Sequence, residues 1–272
     1  MLMYLLYCLF FVLGLFCGSL VNYIAGGVTR EPRSFVFTNC RNCTAAVRPV
    51  LMLPVIGYLL AGRKCPHCGK SLPVHLILVE IGTGLLFAYL FWRFNFTWEL
   101  SVLVVFSLLL LILLVTDIEQ MLIPNVVTYP GLIIVLLISL AIMLLGVKPH
   151  WFFPIPATGF FMIVYNYLVN SILGGLTGFI LLMLVVIISR GGMALGDVKL
   201  ALLIGMMTGF PIVIVALFFG IIGGGLVAGV LLLTRRRGRK DPMPFGPFLC
   251  LGGIAALLWG REILTWYLAP VL

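Results

Sequence analysis

The sequence predicts an all-α polytopic membrane protein of about eight transmembrane helices, with one small polar segment between the first two. Three observations lead there. The 272-residue chain is 63% hydrophobic and only 9% charged, whereas a soluble globular domain is near half apolar and a quarter charged. Its apolar residues form runs of membrane-crossing length divided by short polar joints, while a membrane barrel shows short alternating segments. Its cations gather in two joints: Arg30 to Lys70 holds seven Lys/Arg against one acid, Glu31, and Arg235 to Lys240 holds five more. Positive joints mark the cytoplasmic side, so both belong in the cytoplasm. Topology thereby accounts for the formal charge of +9 with no nucleic-acid partner, and the partner that composition implies is the lipid bilayer.

Helix 1 covers about Leu2 to Ile24. No basic residue precedes its apolar run, which is nearer 20 residues than 10, so a retained helix fits better than a signal peptide. A polar, cysteine-bearing segment follows from about Ala25 to Val74. Helix 2 runs from about Leu76 to Trp92 and helix 3 from about Glu99 to Val115, with Asp117 just past its end. Pro124 and Asn125 open helix 4, about Val126 to Leu145, with Pro where its missing N–H does no harm. Val147 to Asn170 is aromatic-rich and broken by Pro149, Pro154 and Pro156; it reads as an outer-face interfacial loop or partial helix. A full span there would carry the Arg235–Lys240 cluster outside. Helix 5 is about Ser171 to Ser189, and a short helix 6 opens at Asp197 and ends near Thr208. Helix 7 covers about Ile212 to Leu233 and helix 8 about Gly246 to Leu268. Both termini then face outward. Gly223, Gly224, Gly225 and Gly229 read as helix packing or local flexibility, since no strand precedes them to make a phosphate loop.

Cys40-Arg-Asn-Cys43 and Cys65-Pro-His-Cys68 are two CxxC pairs separated by 21 residues. Each places two thiolates on one tight turn, and two such knuckles complete a tetrahedral, structural zinc site. The competing reading is a pair of disulfides or inert thiols, which a cytoplasmic location disfavours. His67, inside the second knuckle, is an alternative ligand. Cys8, Cys17 and Cys250 lie in apolar runs and read as buried packing residues.

Asp117 and Asp197 stand at the ends of long apolar runs in a chain with only eight Asp and Glu. An ionisable group at a membrane boundary is costly and marks a functional site by default. Placed at one depth on one face, two carboxyls share a proton, one acting as base and the other as acid, to drive water onto a peptide bond. The competing reading makes each a helix cap, which suits Asp197 at a helix start. Glu119 and Lys199, each two residues beyond an aspartate, either tune it or face the headgroups. Gly191, Gly192 and Gly196 suggest a tightly turned approach to Asp197.

Six ordered motifs resemble those of the bacterial type IV prepilin peptidases: Gly18-Ser19-Leu20-Val21-Asn22, the CxxC pairs, LVEIGTG with Glu80, TDIEQMLIPN, GDVKL, and PFGPFLCLGG from Pro244 to Gly253. The resemblance covers nearly the whole chain. It implies a bifunctional enzyme of the bacterial inner membrane that cuts the basic leader of prepilins or pseudopilins on the cytoplasmic side. The same enzyme would then methylate the new N-terminal amine using S-adenosylmethionine. By motif, Asp117 and Asp197 would be the catalytic pair of a GxGD-type protease, and Glu80 and Asn22 contributors to methyl transfer. Residues 1–25 would form the first span, 26–75 the zinc segment and methyltransferase part, and 76–272 the helical domain, with the peptidase core at about 99–233. Three departures stand out: Ala194 at the first glycine of GxGD, Gly26 and Gly27 where an Arg usually follows, and no Asp-Asn before Ile-Pro in the Val47–Gly62 stretch. The alternatives are a proton- or sodium-coupled transporter using the two acids as a relay, and a membrane scaffold held by the knuckle.

Overall fold

A computed structural model of the protein describes residues 2–28, 54–60, 62, 64, 68–71, 73–153, 166–188, 194–234 and 244–269. Helices α1 (Leu2–Val28), α2 (Ile56–Leu60), α3 (His75–Phe94), α4 (Trp98–Gln120) and α5 (Asn125–Leu145) come first. They are followed by α6 (Tyr167–Ile188), α7 (Leu195–Thr208), α8 (Ile212–Leu233) and α9 (Gly246–Leu268). All but α2 and α7 are long and apolar enough to cross a membrane. Seven described helices can therefore cross a membrane, against the eight transmembrane helices expected: α7, the short helix that opens near Asp197, has 14 residues and is about 21 Å long against a hydrocarbon core of about 30 Å.

Contacts divide the chain into two compact units, 1–116 and 117–272. In the first, α1 lies along α3. Gly14 and Gly18 allow this: a Cβ on either would come within 2.7 Å of the α3 backbone, at Gly84 and Glu80 respectively. Phe10 stacks on Phe91 at 4.1 Å between centroids, and the Asn22 amide donates to the Leu76 carbonyl at 2.9 Å.

In the second unit, α6 packs on α7 and α8 on α9, and α7 also touches α5, α8 and α9. Gly174, Gly175 and Gly178 of α6 meet Gly205, Met206 and Ala201 of α7 with no room for side chains. Small residues at such seams let helices approach in a membrane, where lipid gives apolar faces no other reason to associate. A polar chain crosses three helices here: Ser139 of α5 is bonded to Ser171 of α6 at 3.1 Å, which donates to the Met206 carbonyl of α7 at 2.6 Å. Gly220 and Gly252 likewise bring α8 and α9 together. Gly224 meets Phe245, whereas Gly225 and Gly229 face open space.

Four expectations change. Helix 3 does not stop before Asp117: α4 continues to Gln120 and the Asp117 carbonyl accepts from Met121 N–H at 2.8 Å. The end of an apolar run is not the end of a helix, and nothing breaks this one until Met121 turns to φ 54°. Helix 1 likewise runs on to Val28, and α6 begins at Tyr167. Of the Val147–Asn170 stretch, read as an interfacial loop or partial helix, residues 154–165 lie outside the described residues, and the aromatics at 151–153 pack inward. Trp151, Phe152 and Phe153 are buried, and the Trp151 indole donates to the Tyr167 hydroxyl at 3.0 Å. The cysteine segment contains a helical turn, α2, that its composition did not suggest. Cys40, Cys43 and Cys65 lie outside the described residues, and Cys68 is exposed. Lys64 and Ser71, which flank the second cysteine pair, form an antiparallel bridge.

Candidate active site

Asp197 is the third residue of α7, and Ala194 is that helix's N-cap. The Asp197 carboxyl accepts from Ala194 N–H, while Asp197 N–H donates to the Ala194 carbonyl at 3.1 Å. This is the back-reaching half of a capping box, made by the residue at the third helical position. Asp197 therefore caps its helix, as the competing reading of this residue supposed, and it does so while buried, at 6% exposure. Gly196 leaves the room needed in front of it: Ile123, from the turn between α4 and α5, would stand 3.3 Å from a Cβ there.

Asp117 arrives from the last turn of α4 and is 4% exposed. Gly246, the first residue of α9, directs its N–H at the Asp117 carboxyl. Asp117 Oδ2 is buried with no partner of ordinary hydrogen-bond geometry among the described residues, an arrangement that structural side chains rarely tolerate. Asp197 lies within the field of the Asp117 charge, and the thiol of Cys250, one turn beyond Gly246, lies within the field of both. Three helices thus bring two carboxyls together. Of the three cysteines read as buried packing residues, Cys250 is fully buried, whereas Cys8 is exposed and Cys17 half-buried; the position of Cys250 beside both aspartates was not legible from the sequence. PFGP was visible only as a motif, with no role for its glycine.

Lys199 does not turn to the aspartates. Its ammonium donates to Asn125 Oδ1 at 3.0 Å and lies 5.6 Å from the ring centroid of Tyr129, joining the starts of α5 and α7. Glu119 is half-buried.

A second polar cluster lies in the 1–116 unit. Glu80 Oε2 accepts from Val55 N–H at 2.8 Å, and the carboxyl also accepts from the side chains of Ser19 and Asn22. The GS-x-x-N motif of α1 and Glu80 of α3, 58 positions on from Asn22 in sequence number, therefore meet at one point (80 − 22). Val55 takes φ 60°, which a β-branched residue rarely adopts. No group of three or more metal-binding side chains occurs among the described residues, three of the four knuckle cysteines being outside them.

Fold and site together define a multi-pass helical membrane protein with two buried carboxyls paired at helix termini. A profile described as the type IV leader peptidase family matches residues 103–229, and one described as the bacterial peptidase A24 N-terminal domain matches residues 12–94. A prepilin leader peptidase/N-methyltransferase of Bacillus subtilis is 31% identical over 264 residues, covering 96% of this chain and 98% of that protein. The protein of the same name from Pseudomonas aeruginosa is 27% identical over 282 residues, covering 94% and 91%. That of Legionella pneumophila is 27% identical over 239 residues, covering 87% and 76%. No solved structure matches. The chain belongs to the type IV leader peptidase family and is an enzyme. The transporter and scaffold alternatives gain no support from these comparisons.

Proposed function

We propose that this enzyme removes the leader of type IV prepilins or pseudopilins at the cytoplasmic face of the bacterial inner membrane, with Asp117 and Asp197 as its catalytic pair. The observation that carries this is the meeting of the two buried carboxyls, brought from α4 and α7 into one another's field. One carboxylate takes a proton from water as the oxygen attacks the scissile carbonyl. The other, protonated, donates to the carbonyl oxygen. The tetrahedral intermediate collapses when the C–N bond breaks and the amine leaves with a proton. Two strongly interacting carboxyls titrate as a unit, and such a pair, holding one proton, offers an acid and a base together.

The relatives' shared name adds N-methyl transfer. S-adenosylmethionine supplies an electrophilic methyl group. The buried Glu80 carboxyl, fixed by Ser19, Asn22 and Val55 N–H, suits a cationic group such as that donor's sulfonium or the pilin's amine, and Asn22 orients it. The four cysteines Cys40, Cys43, Cys65 and Cys68 would hold one structural zinc: four thiolates are a complete tetrahedral set, and Lys64 and Ser71, on either side of the second pair in sequence, are bridged. In this reading the cysteine segment, both aspartates and Arg235–Lys240 face the cytoplasm, and both termini face outward.

The test is cleavage of a prepilin from the same cell in membranes. Wild type is expected to release a leader-length fragment, and Asp117→Asn and Asp197→Asn each to abolish it while accumulating normally. Cleavage by either variant at the wild-type rate removes the dyad assignment.

A further inference from the structure

Gly246 is unlike the other described glycines. Those at the helix seams face backbone or neutral side chains; Gly246 alone faces a carboxyl. A Cβ at this position would lie 2.7 Å from Asp117 Oδ2, 2.9 Å from Cγ and 3.3 Å from Cβ. The same residue directs its N–H at that carboxyl. As the first helical residue of α9, its N–H is one of those with no acceptor inside the helix, and the positive end of the helix favours an anion there. Cys250, four residues on and so on the same helical face, is fully buried and feels both aspartates. α9 is therefore a wall of the aspartate site, and the wall is flush only because position 246 has no side chain.

We propose that Gly246 is a positioning residue of the aspartate pair: its bare Cα and its N–H together seat the Asp117 carboxyl against the start of α9. The proposal rests on the reading of Asp117 and Asp197 as the catalytic pair. Alanine at 246 keeps the N–H but puts a methyl group where the carboxyl lies, so the carboxyl must rotate or shift from its place beside the start of α9. A positioning role confines the loss to the chemical step, so KM is expected to change little. A misplacement of about 1 Å in a catalytic group costs on the order of 100-fold in rate.

Four proteins decide the matter: wild type, Gly246→Ala, Asp117→Ala and the double variant, each purified whole in detergent. Gly246→Ala is expected to lower kcat about 100-fold with KM within about threefold of wild type. Its melting temperature is expected to fall, and that fall to disappear when Gly246→Ala is made in the Asp117→Ala background, because the collision partner is gone. A kcat for Gly246→Ala within about threefold of wild type overturns the proposal. So does a melting penalty of equal size in both backgrounds, which would make Gly246 an ordinary packing glycine. Should Gly246→Ala fail to accumulate, recovery of the double variant supports the contact and its failure refutes it. Cleavage by Asp117→Ala would instead defeat the catalytic reading, and the melting comparison would still judge the contact.

Discussion

Asp197 is held by the helix that carries it, whereas Asp117 is held by a helix far along the chain. The first kind of support was legible: an acid in the opening turn of a helix reads as a cap, and Asp197 accepts from Ala194 N–H accordingly. The second was not, because nothing local to TDIEQMLIPN points to residue 246. Glu80 shows the same division. Its sequence neighbours do not disclose that Ser19, Asn22 and Val55 converge on it. Replacing a buried acceptor strands its donors at a cost of about 1–3 kcal/mol. Glu80→Ala is therefore expected to loosen the anchoring of Val55 and to reduce N-methylation about tenfold or more, a factor equal to about 1.4 kcal/mol, while leader cleavage stays within about threefold. Mass spectrometry of a single digest reads both products. Equal losses of cleavage and methylation would remove Glu80 from methyl transfer.

At the scale of elements, glycine composition foretold close helix packing but not which glycines do it. Gly205 of α7 sits against the backbone of Gly174 and Gly175, so any side chain forces α6 and α7 apart. Gly225 of α8 meets nothing within 4 Å. Gly205→Ala is expected to destabilise by about 1–3 kcal/mol, the usual cost of overpacking, and to lower the melting temperature by several degrees. Gly225→Ala, gaining helix propensity of up to about 1 kcal/mol, is expected to leave it unchanged or raise it. Equal melting of the two variants would show that the α6–α7 seam is not closed by its glycines. The shortness of α7 also has a reason at this scale. It is surrounded by α5, α6, α8 and α9, so its length is set by the helices around it and not by the thickness of lipid. Most of α7 beyond Lys199 is buried between these helices and apolar, so that part of its sequence offers little face to read.

At the scale of the molecule, the two compact units part between Thr116 and Asp117, inside α4. Both candidate catalytic residues fall in the second unit, and the Ser19–Asn22–Glu80 cluster falls in the first. Leader cleavage and methyl transfer thus map onto separate parts of the chain in the proposed function. The cysteine segment belongs to the first. Cys40→Ser is expected to reduce bound zinc from about one ion per chain, by elemental analysis of purified protein, since a structural site binds through all four ligands. Methylation is expected to suffer before cleavage. Unchanged zinc stoichiometry would exclude Cys40 as a ligand.

Residue order alone identifies a helical membrane protein, the approximate course of its long helices and the rare acids that stand out. These follow from composition and local periodicity, because lipid requires every spanning segment to satisfy its own backbone hydrogen bonds. The charge of the joints sets only an expectation of orientation. Tertiary structure decided that Asp117 lies inside α4, that Trp151 and Phe152 turn inward, and that Asp117, Asp197, Gly246 and Cys250 share one site. Such facts depend on contacts between residues distant in the chain, and local pattern carries no information about which helix face will meet which.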